Sequence, residues 1–474
     1  MSGHNNNAAP IRFIPQTGRK PSAEDTTTRK AIRRHVMLGK NRGRAPQNPR
    51  QPAMQGTAVF RAEDFHQPAE EQSLVIPPRV GTDLSFLDFA DPVDPPLMND
   101  TLRFCSATNE NMFVLARCIS FEAPDTMATC MRRLACDALY VNVMVFGTQT
   151  YLDQVVRHNN TTELRRSCLR HYGRALGILR ERLAEAERRR GVISDITINS
   201  VIILGMHALA TGQYGSARNH IAGLGRMMSL RERGLQSFGE NKTRSLVDLL
   251  RCDISIALAT GEEPILFPGG SCEETFRLPD FEVSDEPTRR HPSIGNDGLA
   301  RIWMVLSRFC AVINKAGIDQ TTIPERMLLQ TMASVMYGLL SLSLPPDSTD
   351  KAIRLAMLSF CASTFLYWGQ MRMPLGWLQA EQRRCLFRMK DAHEDNLDPR
   401  MMLWMLIVYG ITFPAATTDE VEEMRKRLRE VTEHCGLTCW DEVRGTMSEF
   451  LWIDIVCNTP AQELVEAAHA RHRS

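Results

Sequence analysis

LRRSCLRHYGRALGILRERL, residues 164–183, is the stretch from which the fold class is read. Leu164, Cys168, Tyr172, Leu176, Leu179 and Leu183 recur at intervals of four, four, four, three and four, which sets them along one stripe of an α-helix. The other side carries Arg165, Arg166, Arg170, Arg174, Arg180 and Glu181, a solvated face. Tyr214, Ala217, Ile221, Leu224 and Met228 repeat the pattern, and similar runs lie at residues 302–312, 326–342, 352–367, 401–411 and 421–431. Linkers are short, Thr211-Gly212-Gln213 being typical, which suits antiparallel helical neighbours. No alternating run of β-branched residues demands a sheet, and no fixed repeat period marks a solenoid. The reading is an all-α fold of antiparallel helices over residues 101–474, preceded by a disordered N-terminal region over residues 1–100. Gly, Pro, Ser, Asp and Glu cluster near residues 264–298, which predicts a loop or sub-boundary there.

Composition sets the bounds. The chain has 474 residues, long enough for a large core, with 43% apolar and 23% charged residues. Net charge is only +1, so the local distribution of charge carries the argument. No stretch reaches the roughly 18 apolar residues of a membrane span, and the opening MSGHNNNAAPIRFIP lacks the apolar core of a secretory signal. These features predict a soluble, intracellular protein without a membrane partner. The thirteen cysteines are scattered. Cys118, Cys130, Cys136, Cys168, Cys310 and Cys361 sit among apolar neighbours, as free, buried thiols in a reducing compartment would.

Residues 1–100 are rich in Pro, Asn, Gln and Gly and poor in periodic apolar positions, a composition that buries too little surface to offset the entropy of ordering. Two segments within them contrast. RKAIRRHVMLGKNRGR, residues 29–44, holds Arg29, Lys30, Arg33, Arg34, His35, Lys40, Arg42 and Arg44 with no acid among them. Nuclear import or electrostatic contact with phosphates is the expected use. Reading a DNA sequence needs a rigid element in a groove, and Gly39, Gly43 and Pro46 interrupt one here. The second segment interleaves Asp83, Asp88 and Asp91 with Leu84, Phe86, Leu87 and Phe89, and Pro92, Pro95 and Pro96 close it. Such composition is that of amphipathic activation segments. Induced docking on a coactivator and docking on the chain's own helical body are both open.

A phosphate loop ending in Gly-Lys-Ser/Thr, a dinucleotide fingerprint, a His-Glu-x-x-His helix and a Gly-x-Ser-x-Gly elbow are all missing from the sequence. There is no Cys-x-x-Cys pair; His434, Cys435 and Cys439 lie near one another without an evident fourth ligand. His207 and His220 flank a turn and read as hydrogen-bonded helix residues. Arg251 and Asp253, two apart on a helix, do not share a face and read as parts of a buried structural ion pair with other partners. The pairs Glu262-Glu263 and Glu422-Glu423 fall in a turn and on a solvated helix. No catalytic residue, no metal site and no cofactor is expected, and the chain does not read as an enzyme.

Several segments, in order, resemble the fungal-specific transcription factor family, whose helical regulatory domain usually follows a binuclear zinc cluster. Phe13-Ile14 and IRRHVMLGKNRGR, residues 32–44, are similar to an opening found in members without that cluster. HIAGLGRMMSLRERG, residues 220–234, resembles a His-x-x-Gly-Leu-x-x-Met signature, with Glu232-Arg233 where Gly-Gly is usual. RCDISIALATGEEP, residues 251–264, resembles the Arg-x-Asp-x-x-x-Ala-x-x-x-Gly-x-x-Pro helix that follows. MMLWMLIVYGI, residues 401–411, and FLWIDIVC, residues 450–457, resemble the late helices. The resemblance implies a helical regulatory domain, residence in the nucleus and control of gene expression, for example of a metabolic pathway. The first cysteine is Cys105, so the zinc cluster is missing. DNA contact is then expected to be weak, through the arm, or indirect, through a DNA-binding partner protein in a heterodimer. A homodimer and recruitment of the transcription machinery are further expectations. The rival reading is a helical interaction scaffold without transcriptional activity.

Overall fold

In a computed structural model the described residues are 88–111, 114–120, 127–153, 162–189, 193–229, 243–270, 276, 291–367, 373–388, 397–413 and 417–470. They form helices almost throughout. In chain order these are α1 (Pro95–Asn111), α2 (Met127–Cys136), α3 (Ala138–Leu152), α4 (Thr162–Arg189) and α5 (Asp195–Ala210). Next come α6 (Tyr214–Ser229), α7 (Thr243–Thr260), α8 (Asp297–Asp319), α9 (Glu325–Ser341) and α10 (Thr349–Cys361). The last are α11 (Gly376–Arg388), α12 (Pro399–Thr412), α13 (Thr418–His434), α14 (Trp440–Met447) and α15 (Asp454–His469). Two residues of β1 (Ile119–Ser120) pair in parallel with β2 (Ile323–Pro324), Ile119 opposite Ile323. The expected all-α class holds.

Local chemistry fixes the helix ends. Asp137, Ser194, Asn296 and Ser348 each accept a backbone N–H from the first turn of α3, α5, α8 and α10, and Thr417 with Glu420 closes a reciprocal capping box on α13. Gly212, Gly261 and Gly436 stop α5, α7 and α13 at positive φ, where a side chain would strain the backbone. The Thr211-Gly212-Gln213 linker is as short as its sequence predicts.

A helix that is apolar on every side must be wrapped by others. α12 meets that condition: eleven of its fourteen residues are buried, and the Trp404 indole donates to the Leu451 carbonyl at 3.0 Å. α10, α13 and α15 pack around it. α3 is apolar all round for another reason. Leu139, Val143, Phe146 and Leu152 face the large core that runs from Leu115 to Ala468, whereas Tyr140, Val141 and Val145 face a smaller cluster with Leu97, Leu102 and Leu134 of α1 and α2. Amphipathic α4 covers α3 and exposes Arg166, Arg170 and Arg180. Of its expected stripe Cys168 and Leu179 are buried while Tyr172, Leu176 and Leu183 are half-buried against the core, and Ala175, outside that stripe, is buried with them. Phe267, Phe276 and Ile294, from the stretch expected to be a loop or sub-boundary, belong to the large core together with helices on both sides of it.

Three local expectations need correcting. Pro95 and Pro96 do not close a segment; they start α1, because proline fits a helix's first turn, where its missing N–H costs nothing. Cys136 is exposed, since it ends α2 and Leu134 takes the buried position in the last turn. The run 352–367 is not one α-helix: it widens to a π-turn at Ala362–Leu366. The other expected cysteines, Cys118, Cys130, Cys168, Cys310 and Cys361, are buried free thiols.

Candidate functional site

The residues of the basic run, Arg29, Lys30, Arg33, Arg34, His35, Lys40, Arg42 and Arg44, lie outside the described residues, as do Leu84, Phe86 and Leu87. The acidic segment enters them at Asp88, which is exposed, and Phe89, which is half-buried. Residues 88–94 form neither helix nor strand, and they lie on the helical body. The backbone N–H of Ala90 donates to Leu134 at the end of α2 (3.0 Å), while Phe89, Ala90 and Val93 pack against the smaller core.

Asp91 anchors this strap. Its carboxylate is buried and accepts from Asn142 Nδ2 at 2.5 Å and from the Nε of Arg174 on α4. Asn142 also donates to the Ala138 carbonyl at 2.8 Å, so its Oδ1 is left to accept from His171 Nδ1, 2.7 Å away. Burial pushes the His171 pKa down against the pull of Asp91 and Asp94, which favours the neutral ring, and the Asn142 acceptor selects the tautomer that carries its proton on Nδ1. Three residues on, Asp94 reaches Ser167 Oγ at 3.5 Å. The strap thus tracks α4 from Ser167 to Arg174 as the chain is followed backward from Asp94 to Asp91. This arrangement holds a chain segment by a charged, hydrogen-bonded contact.

The segment 251–264 is a structural fastener. Arg251 Nε donates to the Phe365 carbonyl at 2.5 Å, at the end of the π-turn, and its guanidinium pairs with Asp248 at 3.4 Å. Asp253 accepts from the backbone of Ile265 (2.7 Å) and Leu266 (3.1 Å) and from Tyr337 Oη (2.8 Å). Burial pushes the Asp253 carboxyl above its ordinary pKa, and those three donors oppose the shift. Gly261 ends α7 at φ +77°, with the Trp377 ring so close that a Cβ would lie 2.5 Å from its Cδ1. Pro264 is buried in the loop that Asp253 holds. Arg251, Asp253, Gly261 and Pro264 therefore each have a structural task, and Ala257 is buried in the core. Arg251 and Asp253 have separate partners, as their spacing predicts, but among the described residues only Arg251 joins an ion pair: Asp253 is held by three neutral donors instead of the expected cation.

His207 and His220 approach each other from α5 and α6. Burial pushes the His207 pKa down to about 4, with a smaller push from His220, which burial also lowers. Contrary to expectation, the contact that fixes the His207 ring is with Phe146, at 3.9 Å between ring centroids. Glu262 pairs with Arg218 at 2.8 Å, and Glu423 with Arg383 at 2.8 Å. Among the described residues no group of His, Cys, Asp or Glu is placed to hold a metal ion, and no helix is long and apolar enough to cross a membrane.

One surface feature was not legible in advance. α11 and α13 border an open groove lined by Gln379, Arg383, Arg384, Phe387, Arg388 and Glu420. Arg383 forks to Glu420 (2.6 Å) and Glu423 (2.8 Å) and lies 5.6 Å from the centroid of the Phe387 ring. Arg384 pairs with Glu381 and Arg388 with Asp347, so the groove's arginines already have carboxylate partners. Comparison with family models, with curated proteins and with solved structures returns no match.

Proposed function

We propose that the chain is a transcriptional regulator that acts in the nucleus on genes of a metabolic pathway. One observation carries the reading: a basic, acid-free run and an acidic, aromatic run precede a helical body whose motifs stand in the order of the fungal-specific transcription factor family. The body is the platform in this reading. Arg29, Lys30, Arg33, Arg34, His35, Lys40, Arg42 and Arg44 carry it into the nucleus or touch phosphates, through counterion release that is independent of base sequence. Leu84, Phe86, Leu87, Asp88 and Phe89 contact the transcription machinery. Sequence-specific placement comes from a DNA-binding partner protein, because Gly39, Gly43 and Pro46 interrupt the basic run as a rigid element for reading a groove.

The test is a deletion of residues 1–60 in the tagged full-length protein. Nuclear accumulation should be lost and should return when residues 29–44 alone are restored. Unchanged accumulation would remove the import role. A chain that stays nuclear yet never changes expression of any gene on deletion would favour the scaffold reading.

A further inference from the structure

We propose that Asp91 is the latch of a strap, and that the closed latch holds half-buried Phe89 on the helical body and so withholds it from the partner it would recruit. The sequestration half rests on the activation role assigned above; the latch itself rests on geometry alone.

The strap is marginal by construction. Of residues 88–94 only Asp91 is fully buried; Asp88, Pro92 and Asp94 are exposed, and Phe89, Ala90 and Val93 are half-covered. Fixing these residues costs conformational entropy at each position, and three partly covered apolar side chains offset only part of it. The charged contact of Asp91 with Asn142 and Arg174 decides the balance. Release of the strap leaves the body intact, because α1 is held separately by Leu97, Met98 and Leu102 in the smaller core. The two states therefore differ by one short local set of contacts centred on Asp91, as a switch requires.

The latch is also reachable. The Asp91 side chain is 2% exposed, but that of its partner Arg174 is 61% exposed. A partner's carboxylate or phosphate can compete for Arg174 from solvent, and salt screens its charge. Phe89 lies two residues from the latch, inside the acidic–hydrophobic segment, so whatever frees Asp91 frees its aromatic end.

Hydrogen exchange of the full-length protein and of Asp91→Asn and Arg174→Gln tests the latch. The Ala90 amide, bonded to Leu134, should lose about tenfold or more of its protection in both variants, while α3 and α12 keep theirs. Arg174→Gln changes an exposed residue and guards against a misfolded Asp91→Asn. Unchanged protection of Ala90 in a folded Arg174→Gln protein would overturn the latch. For sequestration, the same full-length chains are fused to a foreign DNA-binding module. A rise in reporter output of several-fold in both variants is expected, and equal output with the strap demonstrably freed would overturn masking. Residues 70–100 alone on that module serve as the control: if they are silent, the activation role fails, and masking with it, while exchange still decides the latch.

Discussion

Replacing Asp253 with alanine strips the acceptor from three donors, the buried Tyr337 hydroxyl and the partly buried Ile265 and Leu266 amides. A buried donor left unpaired costs about 1–3 kcal/mol. The buried hydroxyl and the two partly buried amides come to about 3 kcal/mol at most on the low end of that range, and relief of the carboxylate's desolvation penalty returns a part, so the expected net cost is about 2 kcal/mol. The loop that follows Gly261 loses its anchor, so its amides should also exchange faster. The assay is chemical denaturation of the full-length protein followed by helical ellipticity, with Tyr337→Phe as the partial version, expected to cost about 1 kcal/mol. The pH dependence has a definite sign. Burial raises the folded-state pKa of Asp253, so the folded protein holds this proton more tightly than the unfolded chain. Its contribution to stability is greatest below the ordinary carboxylate pKa and is lost as pH rises through the folded value. Asp253→Ala should remove that dependence. An alanine variant within about 0.5 kcal/mol of wild type would refute the claim that Asp253 fastens the loop to α7 and α9.

Gly261→Ala should cost about 2–4 kcal/mol, because a Cβ meets both a left-handed backbone and the Trp377 ring; in a Trp377→Ala background only the backbone share should remain. His207, held near pKa 4 by burial, favours the folded state above its ordinary value of 6.5. That stability should be lost as pH falls from 6.5 through 4, by up to about 3 kcal/mol, and His207→Phe should flatten the acid limb of a stability profile. A limb unchanged in His207→Phe would place the acid sensitivity elsewhere. Deletion of residues 1–60 should leave the helical ellipticity per residue of the body unaltered while redistributing the protein out of the nucleus, a pair of outcomes that fluorescence microscopy and circular dichroism check together.

The helices were legible because their physics is local. The intervals of four, four, four, three and four in α4 are a property of one turn after another, and the apolar runs of α5 and α12 announce helices that others must wrap. What the sequence hid depends on distant partners. The π-turn at Ala362–Leu366 carries the carbonyl that Arg251 takes, 114 positions away in the chain, and nothing within 352–367 signals it. Pro95 and Pro96 suit a loop and a first helical turn equally well, so composition placed the start of the body late. The docking of Asp91 was half visible. Asn142 stands alone among apolar residues in ALYVNVMVFG, and a buried amide must find partners. Arg174 gave no such signal, because on the helix surface it looks like any solvated charge.

The most direct test of the regulator is genome-wide chromatin occupancy of the tagged full-length protein in its own cells. Sharp peaks at promoters are predicted, with a zinc-cluster partner's sequence beneath them and peak heights little changed when the basic run is replaced by a foreign import signal. A flat profile from a well-expressed nuclear protein would contradict the account and leave the helical body as an interaction scaffold.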